Sequence, residues 1–516
     1  MFPYRWNGGN SAQLAELCDQ IGDSRRLFVA SNRGPLAYRV SQDGELLATR
    51  GAGGVAIALS ALSRYVDLTW IACAMCEGDR YAAEYADCET LVTYIDRKRL
   101  NLRFVVMPKG TYDKYYSVFC NPFIWFLQHS MWNRSYHLDI DQQVWDAWEN
   151  GYIPANQAFA EAVVTEAGSE DSPVIMIHDY HLYLTPGLIR SRLPHALIHH
   201  FIHIPWPAPQ HWMPLPTSMS RRVFYSLCSC DIIGLQTMRD VRNFLLTCEL
   251  NLKEARVDHQ TRTIQLNGHQ TKVNAYPISV DVAELQRLAN SQEVKEYEQK
   301  LRSFLGKTTI VRVDRVDPSK NIVGGFEAYD MLLARYPHLL GQVNLLAFLV
   351  PSRTDITEYQ EYTRKVFGLI DEINTKYEKN DWKPIKVFYE HNYPQAIAGM
   401  RLYDVLLVNP VADGMNLVAK EGPIINTKDG VLILSEEAGA HEQLKDDAIS
   451  IIPTDREGMV QAICKALAMP AAERRRRSER LRNKVEGEDI IQWFLKQLQD
   501  LRTIAEHYNQ HAMITT

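Results

Sequence analysis

Short apolar runs rich in β-branched residues recur along this chain, and each is followed by a polar turn and then by a stretch with helical spacing. In the first part the strand-like runs are Arg26 to Ala30, Leu68 to Ala72, Leu102 to Met107, Pro173 to Ile177, Ala196 to about Ile204, and Asp231 to Leu235. In the second they are Thr309 to Val313, Val343 to Leu349, Ile385 to Tyr389, Val405 to Val408, and Val431 to Leu434. Runs of this length are too short for free helices and suit parallel strands buried on both faces. The intervening stretches Asp141 to Ala167, Met238 to Leu250 and Asn321 to Tyr336 read as helices. In the last of these Ile322, Phe326, Tyr329 and Leu333 fall on one face, as packing on a sheet demands. Alternation of this kind predicts an α/β fold with parallel sheets. A hairpin is expected within Arg256 to Ala275, turning at Asn267-Gly268.

At 516 residues the chain exceeds one core, and the pattern restarts after Tyr276-Pro277-Ile278-Ser279. Two doubly wound halves follow, 1–277 and 278–487, whose strand ends are expected to face a cleft. Charged residues make up 23% of the chain with a net charge of −6 and both signs dispersed, which argues against a nucleic-acid or membrane partner. The basic run Arg474 to Arg477 reads as a solvated helix face. The start, MFPYRWNGGNSAQ, has no basic-then-apolar signal pattern, and no apolar stretch reaches membrane-spanning length. The expected compartment is the cytoplasm. Nine thinly spread cysteines read as reduced, mostly buried thiols, and the one C-x-x-C, Cys73 to Cys76, lacks a second pair at zinc spacing.

The stretch Asp404 to Glu421, DVLLVNPVADGMNLVAKE, carries the most chemistry. A buried strand is followed by a turn holding Asp413 and by a helix expected to begin near Gly414, whose free N–H groups would favour a diphosphate. Glu421 would then face ribose or sugar hydroxyls. From these residues alone, a nucleotide-sugar cradle and an ordinary capped strand–helix joint fit equally. Arg315 and Lys320 flank the turn after TTIVRV and suit a diphosphate as a fork and a point charge. Arg33 and Arg353 likewise follow strands. Tyr116 and Trp125 lie in an aromatic stretch readable as core or as a sugar contact. His178, Asp179 and His181 read as a metal pair without a third ligand or, better, as hydrogen-bonding groups for a sugar; His203 is a lone histidine on an apolar strand. The loop GAGGV, containing Gly54, departs from the dinucleotide fingerprint but admits a phosphate or sugar.

Taken in order, VASNRGP, GAGGV, YYSVFCNPFIW, IHDYHL, FIHIPWP, DIIGLQT, YPISVD, VDRVDPSKNI, VPSR, DGMNLVAKE and LILSEEAGA resemble trehalose-6-phosphate synthase. The resemblance runs from about Arg26 to Leu498 and implies the GT-B architecture of two Rossmann-like domains, an acceptor-binding one and a nucleotide-sugar-binding one. It also implies a closing helix at about 488–516 packed back on the first. The implied activity is retaining transfer of glucose from a nucleoside diphosphate to glucose 6-phosphate, without metal or other cofactor.

By that resemblance, Arg33, Tyr116 and Arg353 would hold the acceptor phosphate, Trp125 its sugar, and Asp179 and His181 the rest of the acceptor. Gly54, Arg315 and Lys320 would meet the donor diphosphate together with Gly414, Met415, Asn416, Leu417 and Val418. Asp413 and His203 would meet the transferred glucose, and Glu421 the ribose. Arg315, Lys320, His203 and Asp413 form the implied catalytic set. The chain departs from the family in three places. Cys73 stands where a pocket tryptophan is usual, D-R-V-D-P-S-K-N replaces E-R-L-D-Y-x-K-G, and Gly422-Pro423 follows Lys420-Glu421. The first departure leaves acceptor identity open, the second and third leave the donor base open among uracil, guanine and adenine, and the second resembles an actinobacterial-type branch. Two neighbouring activities share the pattern, glucosylglycerol-phosphate synthesis and validamycin-type pseudo-glycosyl transfer; a catalytically silent sugar-phosphate sensor is a third alternative. Oligomeric state stays open, a homo-oligomer included.

Overall fold

A computed structural model describes residues 13–14, 16–17, 26–41, 43, 45–50, 59, 62–85, 91–95, 98–132, 139–379 and 382–515. The chain divides into two compact units, Met1–Pro277 with Ile490–Thr516, and Ile278–Asp489. Both are α/β and doubly wound, the GT-B class.

Among the described residues, the first unit is built on a ten-stranded sheet. Its parallel centre comprises β1 (Leu27–Ser31), β4 (Leu68–Cys73), β6 (Lys98–Val105), β7 (Val174–His178), β8 (Leu197–Phe201), β9 (Ile232–Leu235) and β12 (His269–Ala275). Strands β1, β4, β7, β8 and β9 are buried at every position, as continuous apolar runs require. The edges are antiparallel: β5 (Leu91–Ile95) joins β6, and β10 (Arg256–Asp258) with β11 (Thr263–Leu266) joins β12, β11 and β12 meeting at Asn267-Gly268 as expected. A hairpin of β2 (Leu36–Val40) and β3 (Leu46–Arg50) stands apart and had no signal in the sequence reading.

Two stretches of π-helix distinguish this unit. The aromatic segment is π-helical over Asp113–Ile124, and the helix expected at Asp141 to Ala167 contains a π turn at Trp148–Tyr152. They pack together at Gly151, where a Cβ would come within 2.6 Å of the Tyr115 nitrogen. The wider π spacing re-aims successive side chains, and such segments gather at functional sites. The closing helix Ile490–Thr515 docks on this unit. Trp493 Nε1 donates to the Tyr276 carbonyl, Asp500 accepts from Lys272 and Asn274, and Tyr508 donates to the buried Asp231.

The second unit has a six-stranded, wholly parallel sheet in the order β15 (Ile385–Tyr389), β14 (Val343–Val350), β13 (Thr308–Arg315), β16 (Val405–Val408), β17 (Val431–Ser435), β18 (Ile449–Ile451). The helix Ile322–Arg335 buries Ile322, Phe326, Tyr329 and Leu333 against it. In the helix Ala471–Gly487, Arg475 and Arg476 pair with Glu479 and Glu473 at the surface. Arg474 and Arg477 pair with Asp404 and Glu473 and also donate to carbonyls of neighbouring loops. Among the described residues, no helix is long and apolar enough to cross a membrane.

Candidate active site

In the second unit the polar clusters at the ends of β13, β14 and β16 form one network. Lys320 Nζ donates to Asp413 Oδ2, and Asn416 Nδ2 donates to the same oxygen at 3.0 Å. The loop that carries Asp413 is tied to the segment after β17. Asp413 N donates to the Glu437 carbonyl, Gly439 N to the Asp413 carbonyl, and Ala440 N to the Met415 carbonyl. A Cβ at Gly439 would sit 1.8 Å from the Gly414 oxygen, so the LSEEAGA segment approaches this closely only because it carries glycine there.

The helix after Asp413 begins at Val418, not near Gly414. Asn416 adopts φ 72°, which no helix continues, and its Oδ1 accepts from Ala419 N at 3.2 Å as a cap. Residues 414–417 are therefore a pinned loop leading into a short helix, Val418–Ile425, with Pro423 inside it. Lys420 points inward, donating to the Ile278 carbonyl at 2.7 Å. Glu421 accepts from the Tyr393 hydroxyl at 2.8 Å, and burial raises its carboxyl above the usual range, with Tyr393 acting against that.

Asp317, which the sequence reading left unassigned, organises the cations. It caps the turn Pro318–Lys320 by accepting from Ser319 N. Its other oxygen accepts from Arg353 Nη1 at 2.8 Å and lies 3.8 Å from Arg315 Nη2. Arg315 keeps 44% of its side chain exposed, while Arg353 is buried at φ 47° and also donates to the Tyr359 hydroxyl. Behind the turn lies a fully buried arginine. Arg312 donates through Nε and Nη2 to Asp314 at 3.0 and 2.8 Å, and to the carbonyls of Ile322 and Lys320. Burial raises the Asp314 carboxyl, which Arg312 and Lys320 oppose. Arg312 carries no signal in the sequence, where it is one polar letter in a strand, and Asp314 shows there only as the first residue of the departing D-R-V-D-P-S-K-N.

In the first unit the strand ends gather a second set. Asn32 follows β1 and accepts from the Tyr115 hydroxyl at 3.1 Å. Arg33 is exposed, and its charge acts on the buried Tyr112 phenol. Tyr116 stacks between Tyr112 and His181, with ring centroids 5.3 and 5.9 Å away, so two expected acceptor residues come together. Trp125 is only 6% exposed and packs on His129 and Tyr180, the core arrangement. Cys73 is a buried thiol pushed up to about 12 by burial; it lies beneath the tyrosines rather than at a surface, acting on the Tyr112 and Tyr115 phenols.

Asp179 follows β7 at φ 75°, a strained position for a residue with a side chain. It is held by its own N–H to Phe201, by His200 Nε2 to its carbonyl, and by His203 N to its Oδ1. His203 packs on Phe201 and Trp493, and His178 Nδ1 lies 3.2 Å from its Nε2. Among the described residues no three His, Cys, Asp or Glu side chains gather to hold a metal ion. Gly54 and its loop lie outside the described residues.

The family model for Glycosyltransferase family 20 matches residues 25–503. The chain belongs to that family. Among its family-20 relatives, a UDP-forming α,α-trehalose-phosphate synthase of Schizosaccharomyces pombe is 29% identical over 96% of this chain and 94% of that one. A second, enzyme A of Dictyostelium discoideum, is 28% identical over 96% of this chain, which spans 65% of the length of that relative. Of solved structures, the Escherichia coli enzyme bound with UDP-2-fluoro glucose superposes with a TM-score of 0.78 at 27% identity, covering 92% of this chain and 98% of that one. The UDP-forming synthase of Burkholderia xenovorans in complex with glucose-6-phosphate also gives 0.78, at 28% identity over 92% of this chain and all (100%) of that one. The chain is thus a family 20 glycosyltransferase.

Proposed function

We propose that this family 20 glycosyltransferase moves glucose, with retention, from UDP-glucose to glucose 6-phosphate, giving α,α-trehalose 6-phosphate. The observation that carries the reading is the network of Lys320, Asp413 and Asn416 at the strand ends of the second unit, on a chain whose relatives over almost its whole length are named UDP-forming trehalose-phosphate synthases. In this reading Arg315, Lys320, Gly54 and the amides of Gly414 to Val418 bind the diphosphate, Asp413 the glucose hydroxyls, and Glu421 the ribose. Arg33, Tyr116 and Arg353 take the acceptor phosphate and Asp179 and His181 its sugar, while Trp125, packed on His129 and Tyr180, backs that wall from the core. His203 contacts the transferred glucose.

The state of Asp413 argues against a covalent intermediate. A carboxylate nucleophile must offer a lone pair to the anomeric carbon. Asp413 instead accepts from an ammonium and an amide on the same oxygen, which lowers its nucleophilicity. The leaving diphosphate is then the base that takes the acceptor proton, and Arg315 and Lys320 stabilise the charge that grows on it. Two cations supply what a divalent ion supplies elsewhere, so turnover needs no metal. The cysteines of the described residues are all free thiols, which supports a reducing compartment such as the cytoplasm.

The test is a donor panel of UDP-, GDP- and ADP-glucose against glucose 6-phosphate, glycerol 3-phosphate and a cyclitol phosphate. Nucleoside diphosphate release is read together with the anomeric signals of the product, with and without EDTA. Release of UDP with an α,α-linked product is expected. Preference for another acceptor would overturn the acceptor assignment, no turnover at all would favour a sensor, and loss of activity in EDTA would end the metal-free mechanism.

A further inference from the structure

His178 has no role in the chemistry above, yet it is completely buried and touches a residue that does. Its Nδ1 lies 3.2 Å from Nε2 of His203. Burial holds both imidazoles far below the usual histidine range, His203 down at about 3, so both rings are neutral at physiological pH. Between two neutral imidazoles one nitrogen donates and the other accepts, and each ring carries a single proton.

The two possible arrangements differ in what they leave buried. His178 Nε2 is buried without a hydrogen-bond partner. If His203 donated, the His178 proton would sit on that nitrogen as a second orphan buried N–H beside the one His199 already carries, a costlier arrangement than a bare lone pair. If His178 donates, only a lone pair is left bare. The neighbouring His200 sets the precedent: its Nε2 must be the donor to the Asp179 carbonyl, and its buried Nδ1 is left as an unpartnered lone pair.

We infer that His178 donates from Nδ1 to Nε2 of His203 and thereby fixes His203 in the Nδ1–H tautomer, so that His203 offers a sugar hydroxyl a hydrogen-bond donor and not a base. His178 is a positioning residue. The functional half of this inference rests on the reading of His203 as a contact to the transferred glucose. With Nε2 occupied and Nδ1 protonated, His203 has no lone pair for the proton of the acceptor hydroxyl, and that proton goes to the diphosphate.

The test uses full-length protein with ¹⁵N-labelled histidine and long-range ¹H–¹⁵N correlation spectra, the His203 ring being assigned by its loss in His203→Gln. The expected pattern is protonated Nδ1 and bare Nε2; the reverse pattern in the wild type overturns the inference. His178→Asn places an amide N–H where Nδ1 was and is expected to keep the pattern and most of kcat. His178→Leu removes the donor. It is expected to mix the tautomers and to lower kcat roughly tenfold, the loss of one hydrogen bond, with the KM for glucose 6-phosphate little changed. Equal loss in both His178 variants, with unchanged tautomer spectra, would make His178 merely structural and sink the proposal. Unchanged kcat in His203→Gln would overturn the sugar contact, and with it the functional half, while the tautomer assignment would still stand or fall on the wild-type spectrum.

Discussion

Lys320 and Asp413 stand 93 positions apart in sequence and form an ion pair with only 12% and 13% of their side chains exposed. Sequence alone points the lysine to the diphosphate and the aspartate to the sugar. Their pairing holds the ammonium in place before substrate arrives, and it leaves whichever partner survives a mutation as a nearly buried lone charge. Lys320→Met is therefore expected to cost about 3 kcal/mol of unfolding free energy. It should also lower kcat by on the order of 10²–10³ through lost charge stabilisation. Lys320→Met combined with Asp413→Asn should recover part of the stability and none of the activity. Urea unfolding of the single and double variants decides this; strict additivity would mean the pair is not coupled.

Asp317 ties together two cations that the proposed function gives to different substrates. Its carboxylate accepts from Arg353 and lies beside Arg315. Asp317→Asn is expected to raise the KM for glucose 6-phosphate by roughly tenfold, about one charge-assisted hydrogen bond lost at Arg353. The KM for UDP-glucose should rise by less, because the half-exposed Arg315 loses only an ion pair. Arg353→Lys should raise the acceptor KM alone. A change confined to the donor in both variants would show that Arg353 does not serve the acceptor.

Much of this arrangement was legible because buried parallel strands write themselves as apolar runs, and their C-terminal ends collect polar residues. Val405–Val408 followed by Asp413, and Thr309–Val313 followed by Arg315 and Lys320, needed no tertiary information. Three features did. The helix after Asp413 starts late because Asn416 turns left-handed in a loop held by Glu437, Gly439 and Ala440, partners that sequence spacing does not reveal. The π-helix at Asp113–Ile124 has no periodicity signature distinct from an ordinary aromatic helix. Cys73 reads as a pocket substitution, yet the fold buries it beneath Tyr112 and Tyr115.

His178, His199 and His200 of the first unit are buried and His203 is half-buried, and all four are held neutral, His199, His200 and His203 down at about 3. Their folded values are depressed, so their contribution to stability is complete above the unfolded value near 6.5 and is lost as pH falls from there towards 3. Between those limits each histidine costs roughly 1 kcal/mol per pH unit. His199, whose two ring nitrogens have no partner, is the one to remove. In His199→Leu the fall in unfolding free energy between pH 6.5 and 5 should be shallower by about that one-histidine increment. Parallel stability–pH curves for the variant and the wild type would refute the assignment.

The buried Arg312 yields a prediction of the opposite sign. Its guanidinium binds Asp314 twice and the carbonyls of Lys320 and Ile322, so it supports the turn that presents Lys320. Arg312→Met removes the main attraction that opposes the burial penalty on Asp314, whose carboxyl is already raised. The folded-state value then climbs further above the unfolded one. Stability of the variant is accordingly present at low pH, where Asp314 carries a proton in both states, and is lost as pH rises through the folded value. The loss should reach about 3–5 kcal/mol near pH 8, as for a broken buried pair, and be distinctly smaller near pH 5. Arg312→Met with Asp314→Leu replaces both charges by apolar groups and should regain most of the stability at pH 8. Activity should not return with it, because the Lys320 carbonyl still lacks its donor and the donor KM stays raised. If the double variant turned over like the wild type, Arg312 would be a purely structural residue and the link from the buried pair to the lysine would be wrong.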